Sequence, residues 1–175
     1  ELTISSGMIV VHNTGFANWN GLAENTGQNL DIRSAIQGGR INMAGNESIF
    51  NITSIWDHYN TNDNVGFYDA TDFDNNYLFF NSSLVNTTNI VKTGGASLFL
   101  QSPNFNTGDV YVNQGTLYAR HDLALGGAST VYVQGAGNFA IGLGARIEGI
   151  DLVVGKIQGN NSALQLDDGS YWGGN

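Results

Sequence analysis

The chain is 175 residues long, with 24 Gly, one Pro and no Cys, and its six Lys+Arg against 15 Asp+Glu give a formal net charge of −9. That balance argues against sequence-independent nucleic-acid binding, which needs clustered cations, and the missing cysteines exclude a disulfide framework. No apolar run reaches the ~18 residues of a membrane helix, so residues 1–175 read as a single turn-rich β segment that does not insert into a membrane.

In chain order, strand candidates fall at Leu2 to Ile4, Met8 to Val11, Leu30 to Ile32, Ile41 to Met43 and Ile49 to Ile52. They are broken by Asn13-Thr14-Gly15, Asn25-Thr26-Gly27 and Gly38-Gly39, residue types that enter left-handed conformations cheaply. Residues 56–80 depart from this pattern, being crowded with aromatic and acidic side chains, and are expected to form a loop excursion. From Asn81 the alternation is regular. It predicts inward-facing Leu98/Leu100, Val110/Val112, Leu117/Ala119, Val131/Val133, Phe139/Ile141, Leu152/Val154 and Leu164/Leu166, with Phe99, Tyr111, Tyr118 and Tyr132 facing outward.

The four-residue runs are separated by turns too short to hold helices. Short strands that each bury one or two apolar side chains suit a β-solenoid, although a sandwich or jelly roll uses similar spacing. The 9–11-residue strands of a membrane barrel do not fit. In a solenoid whose turns stack in register, like side chains would ladder along the stack.

Val91-Lys92-Thr93-Gly94, the strand Ser97 to Leu100, the turn Asn104-Phe105-Asn106-Thr107-Gly108, then Val112-Asn113-Gln114-Gly115-Thr116-Leu117 and Ala124-Leu125-Gly126 follow one another over about 40 residues. This order and spacing resembles the autotransporter-associated β-strand repeat. Phe105 and Asn106 depart from the Thr and Tyr usual in that family's turn, and residues 56–80 have no counterpart in it. The resemblance implies an all-β chain folded as a right-handed parallel β-helix, part of the passenger region of a secreted or cell-surface bacterial protein. It brings no catalytic residue with it.

Other chemistry is confined to local clusters. Asp72, Asp74 and Asn76 place oxygens at alternate positions, as a loop around Ca²⁺ would, but Tyr77 and Ser83 stand where an EF-hand loop needs Gly and Glu. Trp56, Tyr59 and Tyr68, with Phe67, Phe73 and Tyr77 among Asp and Asn, have the composition of a carbohydrate platform or of rings anchoring the excursion. Asp57 beside His58, and Asp69 near Asp72, are the local groupings an acid-base enzyme would draw on. His12 and His121 stand apart, without zinc-site spacing. Asn46, Asn51, Asn81, Asn86 and Asn160 begin Asn-x-Ser/Thr matches, which an Asn-rich chain produces by composition.

The expectation is a non-enzymatic stalk, fibre or adhesin scaffold, an interior part of a longer chain or fibre, without a cofactor. Its partners are neighbouring solenoid turns or further copies of itself, end to end. A carbohydrate-binding module built on residues 56–80, able to meet a cell-surface glycan, is the first alternative. A polysaccharide-degrading β-helix enzyme is the second.

Overall fold

The computed structural model describes residues 1–13, 32–54, 76–157 and 163–174. Strands and turns make up the described residues, without a helix. In chain order the strands are β1 (Leu2–Thr3), β2 (Met8–Asn13), β3 (Ile32–Asn42), β4 (Ser48–Ser54), β5 (Asn76–Val85), β6 (Ile90–Thr93) and β7 (Ser97–Leu100). There follow β8 (Val110–Ala119), β9 (Thr130–Ile141), β10 (Arg146–Glu148), β11 (Asp151–Ile157), β12 (Leu164–Leu166) and β13 (Tyr171–Gly173). The fold is all-β, and every strand pair among the described residues is parallel.

The pairings trace three ladders. The first runs from β2 through β4, β6 and the first parts of β8 and β9 to β11. The second runs from the start of β3 through the start of β5, β7 and the later parts of β8 and β9 to β12. The third begins with β1 on the end of β3 and that on the end of β5. It continues through Phe105 N–H to Leu84 O (2.9 Å) and Asn104 N–H to Leu123 O (2.9 Å), and β10 pairs β13 on the same side of each tier's chain path.

One passage of the chain through the three ladders makes a tier. On the first ladder of the later tiers a residue pairs with another 20 or 21 positions on, as in Lys92↔Val112↔Val133↔Val154, while on the second ladder the step runs 19, 22 and 25 through Leu98↔Leu117↔Phe139↔Leu164. The earlier steps, Ile9↔Phe50↔Lys92, are about twice as long. In both of these longer tiers the additional residues lie between the first and second ladders, where 14–31 and 55–75 fall outside the described residues.

Alternation decides what is buried. Leu98, Leu100, Val110, Val112, Leu117, Ala119, Val131, Val133, Phe139 and Ile141 are fully buried and form one core cluster along the stack, as the sequence pattern predicts. Val154 and Leu166 occupy the same inward columns but are about half exposed, because among the described residues their strands β11 and β12 pair on one side only. The expected excursion over residues 56–80 is corrected at its end. Asn76 already opens β5, with Tyr77 and Phe79 in register with Ser97 and Phe99. The run is irregular in sequence because both of its faces are apolar: Leu78 and Phe80 enter the core while Tyr77 and Phe79 pack edge-to-face outside it, centroids 4.8 Å apart.

Like side chains stack between tiers. The Phe99 and Tyr118 rings lie 4.4 Å apart at 14°, and those of Tyr111 and Tyr132 4.9 Å apart at 7°. A double-mutant cycle on Phe99→Leu and Tyr118→Leu, read by urea denaturation, should return a coupling of about 0.5–1.5 kcal/mol. Strict additivity would mean that the ring column is only a by-product of register.

Candidate functional site

Of the residues nominated from sequence, Trp56, Tyr59, Tyr68, Asp72 and Asp74 lie outside the described residues, as do Asp57, His58 and Asp69. Asn76 is the first residue of β5. The described residues hold no group of three or more His, Asp or Glu side chains arranged to take a metal ion. Isolated His121 accepts the Leu123 N–H on its Nδ1 at 3.0 Å, closing its own turn.

The most unusual chemistry instead sits at the corner between the first two ladders. Lys92 occupies the inward column Ile9, Phe50, Lys92, Val112, Val133 and is fully buried. Its Nζ donates to Thr93 O (2.9 Å), Gly94 O (2.6 Å) and Gln114 O (3.0 Å), so all three ammonium donors meet carbonyls, from its own tier and the next. Burial pushes its pKa down to about 7 from the ordinary 10.5. The carbonyls favour the charged form and oppose that shift.

The corner closes so tightly because glycines line it. Gly94 has φ +78°, and Gly115 has φ +68° with any Cβ only 2.5 Å from Gly94 O and Ala96 O. A side chain at Gly115 would press on Gly94 O, one of the carbonyls that hold Lys92, and one at Gly94 would meet Ile52 O of the preceding tier. The cage around Lys92 therefore depends on the Gly94 and Gly115 steps of the same sequence motif that supplies the lysine.

A second buried polar device lies on the third ladder. Asn104 is 3 % exposed. Its Oδ1 accepts the Leu84 N–H at 3.0 Å and its Nδ2 donates to Ala124 O at 2.7 Å, partners 20 residues before and 20 after it. One side chain thus satisfies backbone groups of both adjacent tiers where strand pairing is interrupted. Outside, Asn89 repeats the arrangement: its Nδ2 donates to Glu47 Oε1 (2.7 Å) and its Oδ1 accepts the Asp109 N–H (2.9 Å). Asp109 Oδ1 in turn accepts from the Ser129 N–H, the Ser129 hydroxyl and the Thr130 N–H.

On the outer face of the second ladder, the Arg120 guanidinium lies 4.0 Å from the Phe99 ring centroid, next to Phe79 and Tyr118. Burial lowers its pKa, while Asp167, Tyr118 and Tyr77 act the other way. The cation and neighbouring rings enclose Phe99, which is 8 % exposed although it faces outward. Tyr111 on the first ladder has its phenol pKa raised, by desolvation first, then by Asp109, Tyr132 and Glu47. In both stacks the rings cover each other's faces, the surfaces a sugar ring would need.

Sequence reasoning places Lys92, Asn104 and Gly115 only as letters of a repeat. Alternation does carry the signal for Lys92, since Ile90 faces inward and Lys92 follows it by two. No protein-family model, curated protein or solved structure matches the chain. The resemblance to the autotransporter-associated repeat rests on this chain's own residues.

Proposed function

We propose that the three ladders are the walls of a right-handed parallel β-helix, and that the chain is a non-catalytic stalk, fibre or adhesin scaffold of a secreted or cell-surface bacterial protein. The observation that carries this reading is the use made of the motif residues. Lys92, Gly94, Asn104, Gly115 and Leu117 hold one tier to the next or fill the core, and none of them faces outward toward a ligand. Such residues specify a wall that can be repeated, and repetition along one axis is how a solenoid gains length.

Growth along that axis has a physical basis at both ends of the stack. Leu2 (59 % exposed) lies in an inward column on the first strand, and Val154 and Leu166 lie in inward columns on the last ones, beside edges that are unpaired among the described residues. Parallel edges with apolar inward columns are templates for a further tier. The expected partner is another solenoid tier or another copy of the chain, end to end.

Electron microscopy and light scattering over a concentration series test this. Filaments one stack wide should lengthen with concentration, and the Val154→Lys, Leu166→Lys variant should remain as single particles. Discrete particles at every concentration, or cleavage of a polysaccharide in a broad substrate panel, would overturn the proposal.

A further inference from the structure

The outer face of the first ladder carries three parallel columns of different chemistry. The middle one is apolar along its whole length: Met8, Ile49, Val91, Tyr111, Tyr132 and Val153 pair in register from β2 to β11. Its two ends are nearly half exposed, Met8 at 46 % and Val153 at 45 %, and the four residues between them are partly exposed. Two residues earlier on each strand runs a column that holds the carboxylates Glu47, Asp109 and Asp151. Two residues later runs an uncharged column in which Val10, Asn51 and Thr93 pair in register, followed on β8 and β9 by exposed Asn113 and Gln134 beside the register shift between those strands. No Lys or Arg occurs among these column residues.

A long exposed apolar stripe between two polar borders has the form of an interaction surface. Its borders also select a partner and an orientation. Rotating a second copy by 180° about an axis lying along the stripe sets apolar column on apolar column. It also sets each copy's carboxylate column on the other's uncharged column, at equal tier height. Asp109 then faces Asn113 of the other copy, and Glu47 faces Asn51. Rotation about the perpendicular in-plane axis would instead oppose carboxylate to carboxylate.

We infer that this face pairs two copies of the chain side by side and parallel, about a two-fold axis along the Met8–Val153 stripe. The inference goes beyond end-to-end stacking and depends on strand pairing alone, not on handedness or export. Six strands at about 4.8 Å spacing and three columns about 7 Å apart give roughly 400–500 Å² per copy once side chains are included. That is near the lower limit for a specific interface, so a Kd on the order of tens to hundreds of micromolar is expected.

Because the chain has no Cys, single cysteines read the geometry cleanly. The experiment uses the Val154→Lys, Leu166→Lys background, so that end stacking does not contribute, and its melting curve is first matched to that of the parent. Under mild oxidation Val91→Cys and Tyr132→Cys should each form a disulfide dimer with itself. Phe105→Cys, exposed on the third ladder, should not. In sedimentation equilibrium, Asn113→Asp should weaken the dimer about fivefold and Asn113→Lys tighten it by a similar factor, since the two-fold repeats each contact.

A monomer at millimolar concentration overturns the inference, as does equal cross-linking through Phe105→Cys. Dimers that cross-link neither Val91→Cys nor Tyr132→Cys to itself would contradict the parallel orientation. A monomer that binds a polycation through the same face, with loss in Tyr132→Lys, would assign the surface to a basic partner and overturn it too.

Discussion

Replacing Lys92 with Met should cost about 2–4 kcal/mol of stability near neutral pH and remove a pH dependence that the parent protein shows above it. The substitution keeps the length of the side chain and its place in the apolar column, but leaves Thr93 O, Gly94 O and Gln114 O without their donor. Each buried carbonyl so orphaned costs roughly 1–3 kcal/mol, and relief from burying a charge returns part of the total. The pH effect has a definite sign. With a folded pKa of about 7 against the ordinary 10.5, the unfolded chain holds more protons than the folded one between those values. Stability of the parent therefore rises with pH across that window, by at most about 1.4 kcal/mol per pH unit, and is flat in this respect below it. Urea denaturation of parent and Lys92→Met at pH 7, 8, 9 and 10 measures the difference. A gap that stays constant across the series would mean that the three carbonyls hold the ammonium charged in the folded state as well. A Met variant as stable as the parent at pH 7 would contradict the cage itself.

Asn104→Leu should cost a similar amount, about 2–4 kcal/mol, for a related reason. The side chain is nearly isosteric and the site nearly fully buried, so lost packing is minor. What is lost is the pair of bonds to Leu84 N–H and Ala124 O, and both groups remain inside. The penalty for two buried unsatisfied backbone groups is the sum of two desolvation costs of about 1–3 kcal/mol each, offset by the apolar gain of Leu. Asn81→Leu is the control. Asn81 is exposed on β5, where its Oδ1 accepts the Ser102 hydroxyl at 2.8 Å, and that partner can turn to water. Its loss should shift stability by less than about 0.5 kcal/mol. Equal effects at the two positions would show that Asn104 acts through composition of the turn and not through its bridge.

Much of the wall is legible in the amino-acid sequence, and the reason is the period of two. Leu98 and Leu100, or Val131 and Val133, declare their inward face by alternation alone, and register then carries Phe99 onto Tyr118 and Tyr111 onto Tyr132. The tier length is harder to see. Val110 to Val131 repeats at the same interval as Tyr132 to Val153, but the earlier tiers are about twice as long, so an even period is visible only from residue 90 onward. The start of β5 escapes the pattern because Tyr77 and Phe79 are apolar on the outward face, where alternation expects polar residues; they have Phe99 to pack on. Lys92 is hidden by a different rule, the expectation that a lysine lies at the surface. Only three converging carbonyls override it: those of positions 93 and 94 follow the lysine directly, but that of Gln114 reaches it from the next tier, which the order of residues does not display.

The glycines of the motif show the same division between what sequence displays and what it conceals. Their abundance announces corners. That Gly115 must lack a Cβ because Gly94 O and Ala96 O of the preceding tier lie against it follows only from the stacking.

The central claim is that successive tiers lie on one another in parallel register, with the motif residues fastening them. Paired cysteines in this cysteine-free chain test it most directly. Phe99→Cys with Tyr118→Cys, and Tyr111→Cys with Tyr132→Cys, join residues that are register partners on adjacent parallel strands. Their Cα atoms should lie about 5 Å apart, within disulfide reach. Tyr111→Cys with Tyr118→Cys joins two positions along the single strand β8, too far apart to bridge. Non-reducing mass spectrometry of the oxidised monomers should find intrachain disulfides in the first two variants and free thiols in the third. A disulfide in the third variant and none in the others would describe an antiparallel meander, and would contradict the stacked wall on which the proposed scaffold role depends.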